Sequence, residues 1–479
     1  MSGLRVFRSA GLVMAARVIA TPVTILVNAL AARVLGAGDF GLLYQALTFS
    51  SFVFLFVEWG QPNVLVAKVA TRSAAVGELL GSAIACRLGA SLIAGCVVPA
   101  ICLLGGYDPQ FILVLSLTML TATFGTLSGA CQDVLRGFER AEVAAGSFLG
   151  WQMLSAAVVV PTLLLGGGIH GLLLAQAAAA AAGFVFLLRM LPRLQVPRLS
   201  VAVGTMKDLL RRGHPFLIFG LVLTAQPLID AAMLSKLAPE QAMGWYAAAR
   251  KLVGALIFPA SALIVALYPT LCRLRSESME NFRTSAADAL YVVTVAVVPV
   301  ALGCGLFPEL GVAVFGSGTF GPTAGDLRVL APYVFLVYFS MPLGSCLVAA
   351  GREGGWTVVQ AGCVAVSLIL DPPLIIWSQS RWGNGGLGVC AAAVVSEILV
   401  VSGALALLPA GILAKLPRAK IGRVLASAAA MTAVAIAARP LAELPRACLA
   451  VLAYAGSLQI TGGFDFLKLR SVLGALRAR

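Results

Sequence analysis

Four basic residues lie deep inside long apolar segments of the sequence, where a charged side chain is costly. They are Arg17, Arg87 and the neighbouring pair Arg250 and Lys251. A fifth, Arg33, lies near the end of its segment, where its long side chain can reach the headgroup region. A charge at the centre of a membrane costs about 2.5–3.5 kcal/mol on insertion scales, so such a residue usually serves a function. A guanidinium group binds two phosphate oxygens at once, and a lysine adds a point charge. We predict that the first four residues bind an anionic group; for Arg87 an alternative is that its long side chain reaches the headgroup region.

Acidic and amide residues within apolar segments form a second set of candidates. Asn28 and Gln226 are predicted to contribute hydrogen bonds to the same ligand. Asp230, Asp371 and Glu397 could hold a coupling H⁺ or Na⁺, or balance the charge of a basic residue. The alternative for these acids is an interhelical hydrogen bond or a protonated carboxyl group.

Prolines mark the places where helices are expected to bend, because proline lacks the N–H group that closes a helical turn. Pro22 lies little more than a turn after Arg17, and Pro227 directly follows Gln226. We predict a hinge at each of these two prolines. Two further prolines follow Asp371 and predict a broken helix there.

No group of residues in the sequence is typical of an enzyme. We find no phosphate-binding loop, no HExxH zinc motif and no GxSxG motif with partner residues. The ten cysteines form no CxxC pair, and the two histidines, His170 and His214, lie far apart. We therefore predict no catalytic residue, no metal site and no cofactor.

The composition predicts a membrane protein. The chain is 60% hydrophobic and only 11% charged, and no soluble domain of 479 residues could bury so much apolar surface. The net charge of +14 lies mainly in short loops between apolar segments, which argues against nucleic-acid binding. Segments of about 20 apolar residues, enough for a transmembrane helix, occur fourteen times. They lie near 11–35, 41–61, 79–104, 110–131, 143–165, 169–188, 214–235, 243–269, 286–306, 329–350, 355–377, 385–408, 421–438 and 444–462.

The distribution of charge predicts the orientation. With both chain ends in the cytoplasm, 24 of the 34 Lys and Arg residues fall on the cytoplasmic side. Similar Gly-containing turns precede the second and eighth segments, and the sixth and twelfth, which indicates two parallel lobes of six helices. The predicted division is an N-lobe at 1–190, a basic linker at 191–213, a C-lobe at 214–410, an extra helix pair at 411–463 and an amphipathic cytoplasmic tail at 464–479.

Several stretches resemble one family of transporters. Residues 32–42 (ARVLGAGDFGL), 244–252 (GWYAAARKL), 268–271 (YPTL) and 381–386 (RWGNGG) look like the helix junctions of polysaccharide flippases of the Wzx type. That family belongs to the multidrug/oligosaccharidyl-lipid/polysaccharide exporter superfamily. The resemblance implies an all-α fold of about 14 transmembrane helices, in two pseudo-symmetric six-helix lobes plus two C-terminal helices.

The resemblance also implies a function and a site. A flippase of this family carries an undecaprenyl-pyrophosphate-linked oligosaccharide from the cytoplasmic to the periplasmic leaflet, by alternating access, for O-antigen, capsule or exopolysaccharide synthesis. Arg17, Arg250 and Lys251 match positions of cavity cations in related flippases, whereas Asp371 departs from the Asn expected there. The implied location is the bacterial inner membrane. The implied partners are the lipid-linked oligosaccharide, membrane lipids, and a polymerase with other polysaccharide-assembly proteins.

Three alternatives stay open at this point. A MATE-like cation-coupled drug exporter would share the fold, although a site for cationic drugs should be acidic. A membrane polymerase or ligase would need essential residues in an outside loop, and the longest such loop, 307–328, offers few. A non-transporting scaffold subunit of a polysaccharide assembly is the third.

Overall fold

The structure is a computed structural model that describes residues 3–71, 75–192 and 198–463. Side chains are described from residue 19 onward, apart from those at 219, 223, 262, 265, 266 and 269. The side chain of Arg17 and the predicted amphipathic tail at 464–479 therefore lie outside the described residues. Within the described ranges every regular element is a helix, which confirms the predicted all-α class.

The helices form two compact units, Met1–Ser235 and Lys236–Arg479. The helices of the first unit are α1 (Gly3–Glu58), α2 (Gln61–Ala70), α3 (Val76–Leu104), α4 (Pro109–Gly137), α5 (Ala141–Leu164), α6 (Gly168–Met190) and α7 (Val203–Leu237), whose last two residues pass the boundary. The helices of the second unit are α8 (Glu240–Glu277), α9 (Met279–Leu306), α10 (Pro308–Phe315), α11 (Thr323–Ala349), α12 (Glu353–Trp382), α13 (Gly386–Leu407), α14 (Arg418–Ala437) and α15 (Glu443–Ile460), with a 3₁₀ turn at Leu413–Lys415.

All fourteen predicted segments lie on helices. The first two share α1, which changes direction at Gly36, where φ is 76° and ψ is 177°. That combination is open to glycine because it has no Cβ. In the described chain, ten helices are long and apolar enough to cross a membrane, and the bent α7 raises the number to eleven. The predicted fourteen is larger because the first two segments share α1 and because α8 and α15 are not among these helices. The chain is a multi-pass membrane protein.

Each unit has an apolar core at one end of its helices. In the first unit Leu65, Leu80, Val134 and Leu209 bring α2, α3, α4 and the start of α7 together. Helix α7 therefore begins inside the segment predicted as a linker, 191–213, and its beginning packs on other helices of the first unit. In the second unit α8, α9, α11 and α13 meet in the same way. The division into two pseudo-symmetric lobes stays a prediction.

Helix α12 corrects one expectation. It runs without a break from Glu353 to Trp382, through Pro372 and Pro373. Its packing explains why: a Cβ added to Gly388 of α13 would lie 2.3 Å from the Leu374 carbonyl oxygen, so the two backbones nearly touch. A neighbouring helix that packs this closely can hold a proline-containing segment straight.

Helix α7 does bend near a proline. Its halves, Val203–Val222 and Thr224–Leu237, lie 48° apart. A proline ring clashes with the backbone carbonyl group four residues earlier in a helix. For Pro227 that residue is 223, which is where the two halves of α7 meet. Pro22 lies inside α1, and no bend is recorded there. The hinge roles of both prolines stay predictions.

Candidate functional site

Two of the predicted site residues lie close together in the second unit. Helix α11 packs along both α8 and α13. Arg250 of α8 and Glu397 of α13 are near enough for their charges to interact. Ser340 of α11 lies beside Glu397, and its hydroxyl group donates a hydrogen bond to the Val337 carbonyl oxygen at 3.2 Å. Tyr338 of α11 joins this helix to α8, because its hydroxyl group donates a 2.6 Å hydrogen bond to the Leu256 carbonyl oxygen. We call Tyr246, Arg250, Tyr333, Ser340 and Glu397 the Arg250 cluster.

Aromatic rings hold the guanidinium group of Arg250. Its Cζ lies 5.3 Å from the ring centre of Tyr333 and 5.9 Å from that of Tyr246. Tyr246 and Arg250 are four residues apart, so they share one face of α8. Contact with a ring covers the flat face of a guanidinium group, whereas its N–H donors point outward in the plane. The in-plane donors are the ones that bind carboxylate or phosphate oxygens bidentately.

The balance of charge in the cluster suits a ligand that must be both bound and released. Arg250 is half-buried, and Glu397 is 8% exposed. In such surroundings charge interactions are stronger than in water. Arg250 can attract an anion, and Glu397 supplies a negative charge that opposes the same anion.

Lys251 stands beside the cluster and is half-buried. Adjacent helical residues point about 100° apart, so Lys251 does not share the face of Arg250. Among the described side chains, none forms an ion pair or a hydrogen bond with it.

Arg87 lies in a different setting, in the first unit. It is fully buried, and its Nη2 lies 3.3 Å from the Asp133 carboxylate of α4. Its Nη1 donates to the Thr126 carbonyl oxygen at 2.7 Å, and its Nε donates to the Gln61 side-chain oxygen at 3.4 Å. Thr126 also donates to Glu58 at 3.1 Å. In this conformation Arg87 joins α1, α2, α3 and α4 through what we call the Arg87 network, and solvent does not reach it.

The other predicted residues are spread over three helices. Asn28 donates its side-chain amide to the Thr24 carbonyl oxygen of its own helix α1, at 2.7 Å. Gln226, half-buried, and Asp230, buried, lie one turn apart beyond the bend of α7. Asp371 is fully buried on α12, a turn after Ser367. Its neighbour Ser367 pairs with Ser396 of α13 at 3.1 Å.

The sequence reasoning missed several members of these groups. Tyr333 and Ser340 were not among its candidates, although they are seven residues apart and so share a face of α11. Asp133 was also missed, because it lies on α4, 46 residues along the chain from Arg87. The partner of Arg87 therefore comes from another helix. Among the described residues, no group of three His, Cys, Asp or Glu side chains could hold a metal ion.

The chain matches one family and one class of solved structures. A family model described as "Polysaccharide biosynthesis protein" matches residues 6–275. Over 96% of this chain and 99% of the other, the fold is similar to "Lipid II flippase MurJ, inward closed conformation", with a TM-score of 0.76 and 14% identity. A multidrug resistance MATE family transporter of the MOP superfamily, in an inward-facing conformation, is similar over 80% of this chain and 94% of its own, with a TM-score of 0.61 and 16% identity.

A third structure is that of a MOP superfamily transporter from Pyrococcus furiosus Vc1. It is similar over 84% of this chain and 94% of its own, with a TM-score of 0.56 and 15% identity. A search of curated proteins gave no match. At these identities the structures show the fold alone, and this fold is shared with membrane flippases and transporters.

Proposed function

Because the chain belongs to the polysaccharide biosynthesis protein family, we propose that it flips an undecaprenyl-pyrophosphate-linked oligosaccharide across the bacterial inner membrane. The direction is from the cytoplasmic to the periplasmic leaflet, by alternating access, and the product serves O-antigen, capsule or exopolysaccharide synthesis. Both ends of the chain lie in the cytoplasm. A polymerase and other assembly proteins act on the product.

The observation that carries this proposal is the Arg250 cluster. A pyrophosphate group offers several negatively charged oxygens, and the edge of a guanidinium group fits two of them. The rings of Tyr246 and Tyr333 fix the plane of that edge, so less conformational entropy is lost on binding. Lys251 adds a positive charge nearby. Arg17, whose side chain lies outside the described residues, stays a predicted site residue.

Glu397 gives the site a means of release. While the site is empty its carboxylate balances Arg250, and when the pyrophosphate binds it opposes the added negative charge. A conformational change that brings Glu397 closer to Arg250 would therefore weaken binding. The bend of α7 is where we place part of that change, with Gln226 and Asp230 just beyond it. Asp230, Asp371 and Glu397 remain the candidates for a coupling ion.

A deletion and complementation experiment tests the proposal. A strain that lacks the gene and any redundant flippase should lose surface polymer and accumulate undecaprenyl-linked units on the cytoplasmic side. The wild-type gene should restore the polymer, and Arg250→Ala should not. Arg381→Ala is the matched control, because Arg381 is exposed in the last turn of α12.

Two outcomes would contradict the proposal. Normal surface polymer in the deletion strain would rule out this transport function. Unchanged polymer together with a lowered tolerance of cationic dyes would favour a drug exporter instead.

A further inference from the structure

The first unit contains a cavity that none of the proposed site residues lines. It has a volume of about 720 Å³, within the roughly 300–1,000 Å³ that is usual for ligand pockets. Helices α4, α5 and α6 form its wall, and both α4 and α5 pack along α6. We call it the α4–α6 cavity.

Glycines create the space. Gly125 of α4 and Gly146 and Gly150 of α5 line the cavity. A Cβ added at any of the three would meet no atom within 4 Å. By contrast, a Cβ on Gly388 of α13 would collide with a neighbouring backbone. These three glycines are therefore not explained by close helix packing. A fourth glycine of the cavity, Gly183 of α6, differs from them, because its added Cβ would lie 3.4 Å from the Trp151 side chain. Glycine destabilises a helix interior relative to alanine, and what these three provide in return is room.

The lining is that of a site for a neutral, apolar molecule. Among the described residues that line the cavity, none is charged, and most are small or apolar. Phe148 and Trp151 of α5 supply aromatic surface, with ring centres 5.9 Å apart. The amide group of Gln132 is already bonded to the Ser147 hydroxyl group at 3.3 Å. A charged headgroup would find no counter-charge here, whereas a hydrocarbon chain needs none.

The position of the cavity fits a chain that enters from the inner leaflet. Gly146 and Gly150 lie roughly 8–14 Å along α5 from its first residue, Ala141. In the predicted orientation that end faces the cytoplasm, so the cavity lies in the cytoplasmic half of the membrane. An isoprenyl chain carries a methyl branch on every unit and is wider than a saturated acyl chain. Glycines on two of the surrounding helices provide that width.

We propose that the α4–α6 cavity holds a segment of the isoprenyl chain of the lipid-linked substrate. This rests on the proposed function, which supplies a substrate with such a chain. The cavity binds the hydrocarbon part of the substrate. Recognition of the isoprenyl chain then selects undecaprenyl-linked substrates over phospholipids, whatever sugar they carry.

The test fills the cavity and follows the chain directly. Full-length protein in proteoliposomes is given an undecaprenyl-pyrophosphate-linked sugar with a photoreactive group on its isoprenyl chain, and labelled peptides are mapped by mass spectrometry. The probe should label α5 near Gly146 and Gly150, and excess undecaprenyl phosphate should remove the label. Gly146→Leu and Gly150→Leu place a side chain in the open space and should each lower labelling several-fold. Gly95→Leu is the control, because Gly95 is an exposed glycine of α3 whose added Cβ also meets no atom within 4 Å.

A second probe separates the two sources of hydrocarbon. A phospholipid with a photoreactive acyl chain should label the same peptide weakly and be displaced by undecaprenyl phosphate. Strong labelling by the phospholipid that undecaprenyl phosphate does not displace would overturn the proposal. If either leucine variant unfolds in a thermal melt, Gly146→Ala with Gly150→Ala replaces it, because alanine favours the helix and still narrows the cavity.

Flipping measured in the same vesicles distinguishes this proposal from the proposed function. One outcome is that the wild type flips the substrate and that both leucine variants label and flip as the wild type does. That outcome would overturn the cavity proposal alone. Labelling of α5 in the wild type without any flipping would overturn the transport function and leave the chain-binding site in place.

Discussion

Arg87 and Arg250 are both arginines within apolar helices, yet they differ in burial and in the groups that surround them. Arg87 is fully buried, and its three nitrogens bond to Asp133, Gln61 and a backbone carbonyl. Arg250 is half-buried, and its guanidinium group lies against the rings of Tyr246 and Tyr333. The contrast separates two uses of a charge in a membrane helix. Arg87 joins helices to each other, and we propose that Arg250 binds a ligand.

The largest expected effect is on the Arg87 network. Asp133→Ala would leave the Arg87 charge buried without its carboxylate, which typically costs about 3–5 kcal/mol of stability. We expect a clear loss of folded protein in the membrane and a lower melting temperature after extraction. The double variant Arg87→Met with Asp133→Leu should recover much of the loss. A stable Asp133→Ala protein that fails to transport would instead make Arg87 a ligand-binding residue.

The next effect is on the Arg250 cluster. Arg250→Ala removes charge-assisted hydrogen bonds to the substrate, each worth about 1.5–3 kcal/mol, so transport should fall roughly 10- to 100-fold. Melting should change much less than for Asp133→Ala. The measurement is initial flipping rate against substrate concentration. If Arg250→Ala unfolded as readily as Asp133→Ala, the two arginines would play the same structural role.

Glu397→Gln sharpens the same contrast. It keeps the shape of the side chain but removes the negative charge that opposes an anion. We expect half-saturation at several-fold lower substrate concentration, with slower turnover because release is impaired. Weaker substrate binding in this variant would show that Glu397 only orients Arg250.

The smallest effect concerns the aromatic support of Arg250. A cation–π contact of about 0.5–1 kcal/mol corresponds to roughly a two- to fivefold change in binding. Tyr333→Leu should therefore raise the half-saturating concentration by that factor, and Tyr333→Phe should leave it unchanged. Phe335→Leu, two residues along α11 and exposed, is the control. Equal losses for Tyr333→Phe and Tyr333→Leu would shift the role from the ring to the hydroxyl group.

The sequence predicted the helices well, because hydropathy is a local property. All fourteen segments lie on helices, although the break in α1 at Gly36 replaces a loop and α12 continues through its two prolines. Whether a helix continues in these two places depends on backbone freedom and on packing against neighbouring helices. The hydropathy of a single segment contains neither.

The site was less predictable for the same reason. Arg250 and Glu397 were both candidates, but that they lie together depends on how α11 packs between α8 and α13. Asp133 was missed because the pair it forms with Arg87 joins two helices. The α4–α6 cavity depends on glycines in separate helices, and each of these glycines looks ordinary in the sequence.

Flipping in proteoliposomes that contain wild-type protein or the Arg250→Ala variant tests the role of Arg250 most directly. Each protein receives the same undecaprenyl oligosaccharide linked through either a pyrophosphate or a monophosphate. We predict that the wild type prefers the pyrophosphate form and that Arg250→Ala, still folded, loses that preference together with most of its rate. An Arg250→Ala protein that flips the pyrophosphate form as fast as the wild type, with the preference intact, would contradict this role.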